Sequence, residues 1–491
     1  MLHFPRLPVG FSVLVLLILT MPIFGTPTPL QDAAANPDKK AESHKTKTSK
    51  KKKKQAVANM PYFVFGPSTT SNTVSTPITL QSVEVTPSIT TKSAPVLERT
   101  ARPALVEPDV TATAGQLVIS EFRVRGPNGL NDEFIEIANV SGADHTVADS
   151  GAGTGYAVAA SNGVARCVIP NGTVIPNRGH YLCVNSIGYS LASYPAGNGT
   201  TATGNATYTT DIPDNAGIAI FNTSIAGNFN LANRLDAVGS TTEANTLYKE
   251  GTGYPALVPF SIDYSFYRDN CGKGGSITTF GACPTGGNLK DTNNNAADFV
   301  FVDTNGTSAG AGQRLGAPGP ENLSSPIERN GSFAVNLLDI CVAPASPPNR
   351  VRDFTSDPPN NSTFGTLDVR RTVVNNTGGN VTRLRFRVVD LTTFPAPSGI
   401  ADLRPRTSTS VVVTVDRPPC GSGTSNVTVQ GTTLDQPPSQ PNGGGFNSSM
   451  GANTVTLATP LANGASVDVR FLLGIQQTGS FKFFFNVEAL P

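Results

Sequence analysis

The sequence predicts an all-β protein: two β-sandwich domains behind an export signal and a disordered linker. Three observations predict it. Apolar and polar residues alternate over short stretches, the period of two of a half-buried strand. Gly and Pro number 48 and 39 in 491 residues while Trp is absent, and turns at that density separate many short strands. No stretch repeats its apolar residues at the helical period of about 3.6. A prior of ~150 residues per domain allows roughly three units, fewer where tails are disordered. The formal net charge of +1 gives no overall pull toward nucleic acid or anionic membrane, so any such attraction must be local.

Residues 1–25 read as a signal peptide. Arg6 precedes an apolar run from Phe11 to Phe24, and Gly25 follows as a small cleavage-site residue. The run falls short of the ~20 apolar residues of a spanning helix, and Pro22 interrupts it. An uncleaved N-terminal anchor is the competing reading, and the lysines just beyond favour it. Export to the surface or the medium is the expectation. The linker, 26–114, begins with a basic tract in which Lys45 and Lys47 lead into an unbroken run from Lys50 to Lys54. Like charges keep such a tract extended. It either tethers the chain to an anionic surface polymer or serves as a spacer. Thr, Ser, Pro and Val without a period then fill 56–114. Within it, Tyr62–Phe65 can supply an edge strand to the first domain.

The first domain spans 115–320. Phe122 and Val124 share one face of its opening strand, and Glu121, Arg123 and Arg125 share the other. Pro127, Asn128 and Gly129 make the reversal. Further strands are expected at 133–139, 155–160, 165–169, 180–185, 216–222, 234–238 and 298–302, with Asn/Gly-rich turns between. Ile119-Ser120-Glu121-Phe122 followed by Asp132-Glu133-Phe134-Ile135-Glu136-Ile137 and Asn139 resembles the opening of a lamin tail domain. Val174-Ile175-Pro176 through Tyr181-Leu182-Cys183, then 214–222, then Leu235-Asp236-Ala237-Val238-Gly239, resemble later strands of that family in the same order. The resemblance implies an immunoglobulin-like sandwich that serves as an interaction module, on protein partners and in some settings on DNA. A Gly/Thr/Asn-rich insertion at 198–210 and a tail at 248–320 depart from the family's compact form.

The second domain spans 333–491 and alternates more cleanly. Leu367, Val369 and Val373 share a face. Leu384, Phe386 and Val388 point inward while Arg383, Arg385 and Arg387 point out. Residues 375–380 join these two strands as a hairpin loop. Val467, Val469, Phe471, Leu473 and Ile475 form one stripe, and Phe481, Phe483, Phe485 and Val487 the next. A second immunoglobulin-like sandwich is expected. It resembles the all-β modules that accompany lamin tail domains in bacterial surface proteins.

Six cysteines lie as near neighbours, Cys167 with Cys183, Cys271 with Cys283, and Cys341 with Cys420 in the last domain. None forms CxxC, so structural disulfides in an oxidising compartment are expected, although sequence leaves about fifteen pairings open.

Catalytic signatures are sparse. The four histidines are His3, His44, His145 and His180. A GxSxG match at 306–310 has no later histidine to serve it, so it reads as chance in a Gly-rich loop. There is no HExxH or phosphate-binding loop. Glu121, Asp132, Glu133 and Glu136 can approach one another across the first reversal, but alternation places them on solvated faces beside Arg123 and Arg125. Asp291, Asn293, Asn295 and Asp298, with Asp303 and Asn305 after them, present oxygens at alternating positions suited to calcium. Against an EF-hand, Ala296 stands at the glycine position and Val302 where the bidentate Glu belongs. Plain turn chemistry is the alternative. Arg383, Arg385 and Arg387 form a candidate anion patch, or charge that protects an edge strand. Phe386 between them points to the opposite face, so no aromatic shares the patch as a nucleic-acid platform requires. The sequence therefore points to a non-enzymatic surface or extracellular protein without a small-molecule cofactor, binding an unidentified protein or envelope polymer. Its rivals are a cation-dependent hydrolase using the Asp/Glu clusters and a purely structural matrix component.

Overall fold

A computed structural model describes residues 62–65, 112–258, 261–269, 289–306, 315–392, 401–438 and 444–491, all within one compact unit, 56–491. The signal, the lysine tract, Cys271 and Cys283 lie outside the described residues, as does most of the GxSxG stretch. Among the described residues the fold is nearly all β, and the one α-helix is the single turn Asn295–Asp298.

Two main sheets build the first half, beside a short pairing of His145–Thr146 with Val174–Ile175. A four-stranded sheet runs Arg234–Val238, Ile218–Phe221, Gly155–Ala160, Ala165–Pro170 in spatial order. A six-stranded sheet runs Phe299–Asp303, Tyr264–Arg268, Leu117–Arg123, Phe134–Asn139, His180–Asn185, Ala206–Tyr208. Leu117, Phe122, Ile135, Ile137 and Phe266 from the six-stranded sheet meet Tyr156, Val158, Ile218, Ile220 and Leu235 from the other in one buried core. A bulge between Ile119 and Glu121 resets the alternation, so that Ile119 and Phe122 both enter this core although three positions apart. The disulfide Cys167–Cys183 ties the two sheets together.

The second half repeats the scheme. Its seven-stranded sheet centres on Thr366–Asn375 and Ser466–Gln477, and its six-stranded sheet on Arg383–Leu391 and Phe481–Leu490. Between them lie Val369, Phe471, Phe386 and Phe485. Phe386 meets Phe471 edge-on, with centroids 4.9 Å apart. Cys341–Cys420 is the second disulfide, closing a sequence separation of 79.

Two expectations are corrected. Tyr62–Phe65 joins the second half, not the first, pairing antiparallel with Phe481–Leu490 at the register Tyr62↔Phe484. Ile327–Glu328 pairs with the far end of the same strand, so both short strands extend one sheet. The opening strand Leu117–Arg123 is buried along its whole length instead of on one face. The reason is a second layer of packing: the outer face of the first half's six-stranded sheet is covered by the 186–205 loop and by the six-stranded sheet of the second half.

Candidate functional site: a buried charge cluster between the halves

The covered faces carry charge. Glu121 and Glu136 stand directly opposite each other across neighbouring strands, a pairing that destabilises a sheet unless other groups offset it. The segment between the halves and the facing sheet supply those groups. The Glu121 carboxylate accepts from Gly319 N at 2.9 Å and Asn447 Nδ2 at 3.0 Å. Glu136 accepts from Ser120 Oγ at 2.5 Å and Glu321 N at 2.6 Å. From the other side come Arg385 and Arg387. Glu488 receives both, Arg385 Nε at 2.6 Å and Arg387 Nε at 2.7 Å. Glu321 also receives both, through Arg385 Nη2 and, at 3.2 Å, Arg387 Nη2. Each guanidinium thus bridges two carboxylates in a setting where charge-assisted bonds are strong. Gln436 Nε2 completes the seam, donating to Pro195 O and Pro320 O at 2.9 Å each.

His180 completes the group. Its Nε2 lies 3.7 Å from Glu136 Oε1 and its Nδ1 3.6 Å from Glu321 Oε2, both beyond hydrogen-bond reach. A cavity of about 80 Å³ opens beside these side chains, lined in part by Glu121, Glu136, His180, Glu321 and Arg387. Gly319 allows the close approach there, because a Cβ would press on the Asn447 carbonyl and displace the Arg387 guanidinium from its partners.

Burial dictates the electrostatics. It pushes Glu136 well above the ordinary carboxylate range, and the neighbouring charges of Glu321 and Glu121 add to the rise. Glu121 also rises through burial. Burial opposes ionisation of Glu321 too, but Arg387, His180 and Arg385 outweigh it and hold its carboxyl below its usual value. Burial would lower Arg387, yet Glu321, Glu488, Glu121 and Glu136 together raise it. His180 is lowered by burial, which favours the neutral imidazole. The arrangement works as a lock in which the two guanidiniums are spent on Glu321 and Glu488 while neutral donors hold Glu121 and Glu136. Glu136, His180 and Glu321 bring one ligand atom each within 4.8 Å of the others.

Several expected site residues are therefore corrected. Arg385 and Arg387 do not face solvent; their side chains are 1% and 8% exposed. Alternation correctly placed them opposite Leu384, Phe386 and Val388, but that outward face is covered by the first half. Arg383 stays half-buried at the margin, donating to Thr382 O. The acidic group of the first reversal is not solvated either. Asp132 pairs with Arg123 and accepts from Ser190 N at 2.9 Å, while Arg123 Nη1 reaches Asp263 at 2.9 Å. Glu133 accepts from Ile212 N at 2.6 Å and Asn185 Nδ2 at 2.9 Å. Burial pushes the Glu133 carboxyl up to about 8, against the lowering effect of those two bonds. These side chains pin the 186–214 connection to the sheet. Arg125 alone keeps a rim position, 2.9 Å from Asp214.

The 291–298 loop is likewise committed to local bonds. Asp298 accepts from Thr292 N at 2.9 Å and Thr292 Oγ1 at 2.7 Å. Asn295 Oδ1 accepts from Gly239 N and Glu250 N at 3.0 Å each, and its Nδ2 donates to Ala237 O at 2.8 Å. Asn293 takes the left-handed conformation at φ 55°, where Asn is among the side chains best tolerated. Asp291 reaches further, toward Asp236 and Glu250, with one oxygen of each of the three within 4.8 Å of the others. Arg268 lies among them, with Nη2 2.7 Å from Asp236 and Nη1 3.4 Å from Asp291.

Sequence reasoning missed His180, Glu321, Glu488, Asp236, Glu250 and Arg268 as members of clusters. Asp236 carried a signal, an acid within the otherwise apolar run Leu235 to Val238. The others sit far apart in sequence and carried none. No protein-family model, curated protein or solved structure matches this chain.

Proposed function

We propose that this chain is an exported, non-enzymatic protein of a cell surface or extracellular matrix. Two immunoglobulin-like sandwiches, the first related to lamin tail domains, dock a protein or an envelope polymer through their loops. The basic tract at Lys45 to Lys54 adds attraction to an anionic surface. The carrying observation is that each half of an all-β fold holds its own disulfide, a pattern suited to an oxidising compartment. The use of charge supports the same reading: Glu121, Asp132, Glu133, Glu136, Arg385 and Arg387 hold layers together, the work of a rigid scaffold for presenting loops. Fractionation of the native host with in situ crosslinking tests the proposal. Recovery outside the cytosol, thiols oxidised, with a saturable crosslinked neighbour is expected. A cytosolic chain with reduced cysteines would overturn it, as would chelator-sensitive hydrolysis of ester, phosphoester or glycoside substrates.

A further inference from the structure

We propose that Asp236, Glu250 and Asp291 form a binding site for one hard divalent cation, calcium foremost, at the edge of the first half. Each carboxylate already gives an oxygen to an arginine. Asp236 Oδ2 accepts from Arg268 Nη2 at 2.7 Å, Glu250 Oε1 from Arg234 Nη2 at 3.3 Å, and Asp291 Oδ1 from Arg268 Nη1 at 3.4 Å. What remains is the other oxygen of each. Asp236 Oδ1 and Glu250 Oε2 are buried, in residues only 1% and 5% exposed, and no donor from the rest of the fold reaches them, although the two carboxyls lie close enough to share a proton. Buried carboxylate oxygens without a partner are costly, and two in one cluster call for a positive species between them.

The charge balance sets its valence. With every group ionised, Asp236, Glu250, Asp291 and Asp298 bring four carboxylates against the guanidiniums of Arg234 and Arg268, a formal excess of two negative charges that one divalent ion would balance. Lys249 and Lys290 do not fill the gap, since their ammonium groups donate to the carbonyls of Glu243 and Ala297. All three donors are oxygens, which selects calcium or magnesium over the softer transition metals, and irregular carboxylate sets suit calcium better. Asp291 is exposed and offers the way in from solvent, while Asp236 and Glu250 form the floor.

The ion would act as a clamp. Asp236 belongs to the edge strand of the four-stranded sheet and also accepts from Ile119 N of the six-stranded sheet at 2.6 Å. Asp291 precedes the turn that leads into Phe299–Asp303, the edge strand of that second sheet. A cation held by all three joins both sheet edges opposite the Cys167–Cys183 end. The alternative is a proton shared between Asp236 and Glu250, and the experiment separates the two. Calorimetric titration of the oxidised full chain with calcium chloride is paired with melting curves, by circular dichroism, in millimolar calcium and in EDTA. One calcium per chain and a melting point a few degrees higher in calcium are expected. Asp291→Asn, at an exposed position, should weaken binding ~10-fold or more while leaving the EDTA melting point unchanged. Asp214→Asn, on the rim, should bind as the parent does. Absence of binding at millimolar calcium, with equal melting points in both media and a Glu250→Gln chain more stable than the parent, identifies a shared proton and overturns the proposal. Equal calcium affinity in Asp291→Asn and the parent overturns it too.

Discussion

Replacing Glu488 by Leu should loosen the seam between the two halves more than any single change on the surface. The Glu488 side chain is 5% exposed and accepts the Nε donors of both Arg385 and Arg387. Removing it strands two buried guanidiniums at once. Neither loses everything: Arg385 keeps Glu321 and Ala196 O, and Arg387 keeps Glu321, Asn447 O at 3.0 Å and Gln436 Oε1 at 3.1 Å. Breaking one partner out of a buried ion pair costs about 3–5 kcal/mol, and the surviving bonds place this case near the lower end, ~3 kcal/mol. An exposed control fixes the scale. Arg125 and Asp214 pair at 2.9 Å with side chains 27% and 33% exposed, so Arg125→Ala should cost less than about 1 kcal/mol. Urea unfolding followed by far-ultraviolet dichroism, chosen because the chain has no Trp, measures both. Limited proteolysis reports opening of the connection at 315–332. A Glu488→Leu chain within about 1 kcal/mol of the parent, and no more readily cleaved, would refute the claim that Glu488, from their own sheet, holds Arg385 and Arg387 in place for their contacts with Glu321 and Ala196.

Other consequences can be checked with the same material. Loop-closure entropy for sequence separations of 16 and 79 predicts that removing Cys167–Cys183 costs about 3 kcal/mol and removing Cys341–Cys420 about 4.5 kcal/mol, read from urea midpoints of the paired Cys→Ala chains. Equal losses would count against that ordering. Glu133, raised in the fold from its ordinary 4.5 to about 8, retains a proton that the unfolded chain releases. Its contribution is complete below about pH 4.5 and disappears as pH rises through about 8, a loss of up to ~1.4 kcal/mol per pH unit. Glu133→Gln should flatten the stability curve between pH 5 and 8 relative to the parent, and superimposable slopes would exclude the effect. Deleting 45–54 should weaken envelope retention at low salt and much less at high salt, where charges are screened, while the melting point stays constant. Retention indifferent to the deletion would reduce the lysines to a spacer.

Much of the backbone was legible from alternation alone. The strands His180–Asn185 and Arg234–Val238 fall where they were expected, and Phe134–Asn139 and Phe299–Asp303 fall within two residues. A period of two says which side chains share a face, and that much of the reading of Arg383, Arg385 and Arg387 held. It does not say what lies beyond the face. A polar stripe reads as solvent only if nothing covers it, and here two polar stripes cover each other. Glu121 and Glu136 on one sheet meet Arg385, Arg387 and Glu488 on another, at sequence separations that no local pattern encodes. Tyr62–Phe65 was misassigned for the same reason. Its residues state that it wants an edge, and the edge of Phe481–Leu490 is identified only once the sheets exist.

That placement of charge bears on how the two halves relate. An apolar seam would be indifferent to small shifts in register, whereas each bond at this seam is directional. Arg385 and Arg387 are two positions apart on one strand and share Glu488 on its neighbour, whose register partner is Arg385. Sliding one sheet over the other would separate both guanidiniums from Glu321 and leave Glu121 opposite Glu136 without Gly319 N and Asn447 Nδ2. Buried ion pairs are weak contributors to stability compared with well-packed hydrocarbon, and their best-attested benefit is specificity. An Arg385→Met, Arg387→Met, Glu321→Leu, Glu488→Leu chain, which removes both carboxylates along with both guanidiniums, should therefore lose less stability than Glu488→Leu alone while sampling more than one inter-sheet register. Broadened or doubled amide resonances for strands Arg383–Leu391 and Leu117–Arg123 would report those registers, and a single sharp set would show that packing alone fixes the alignment.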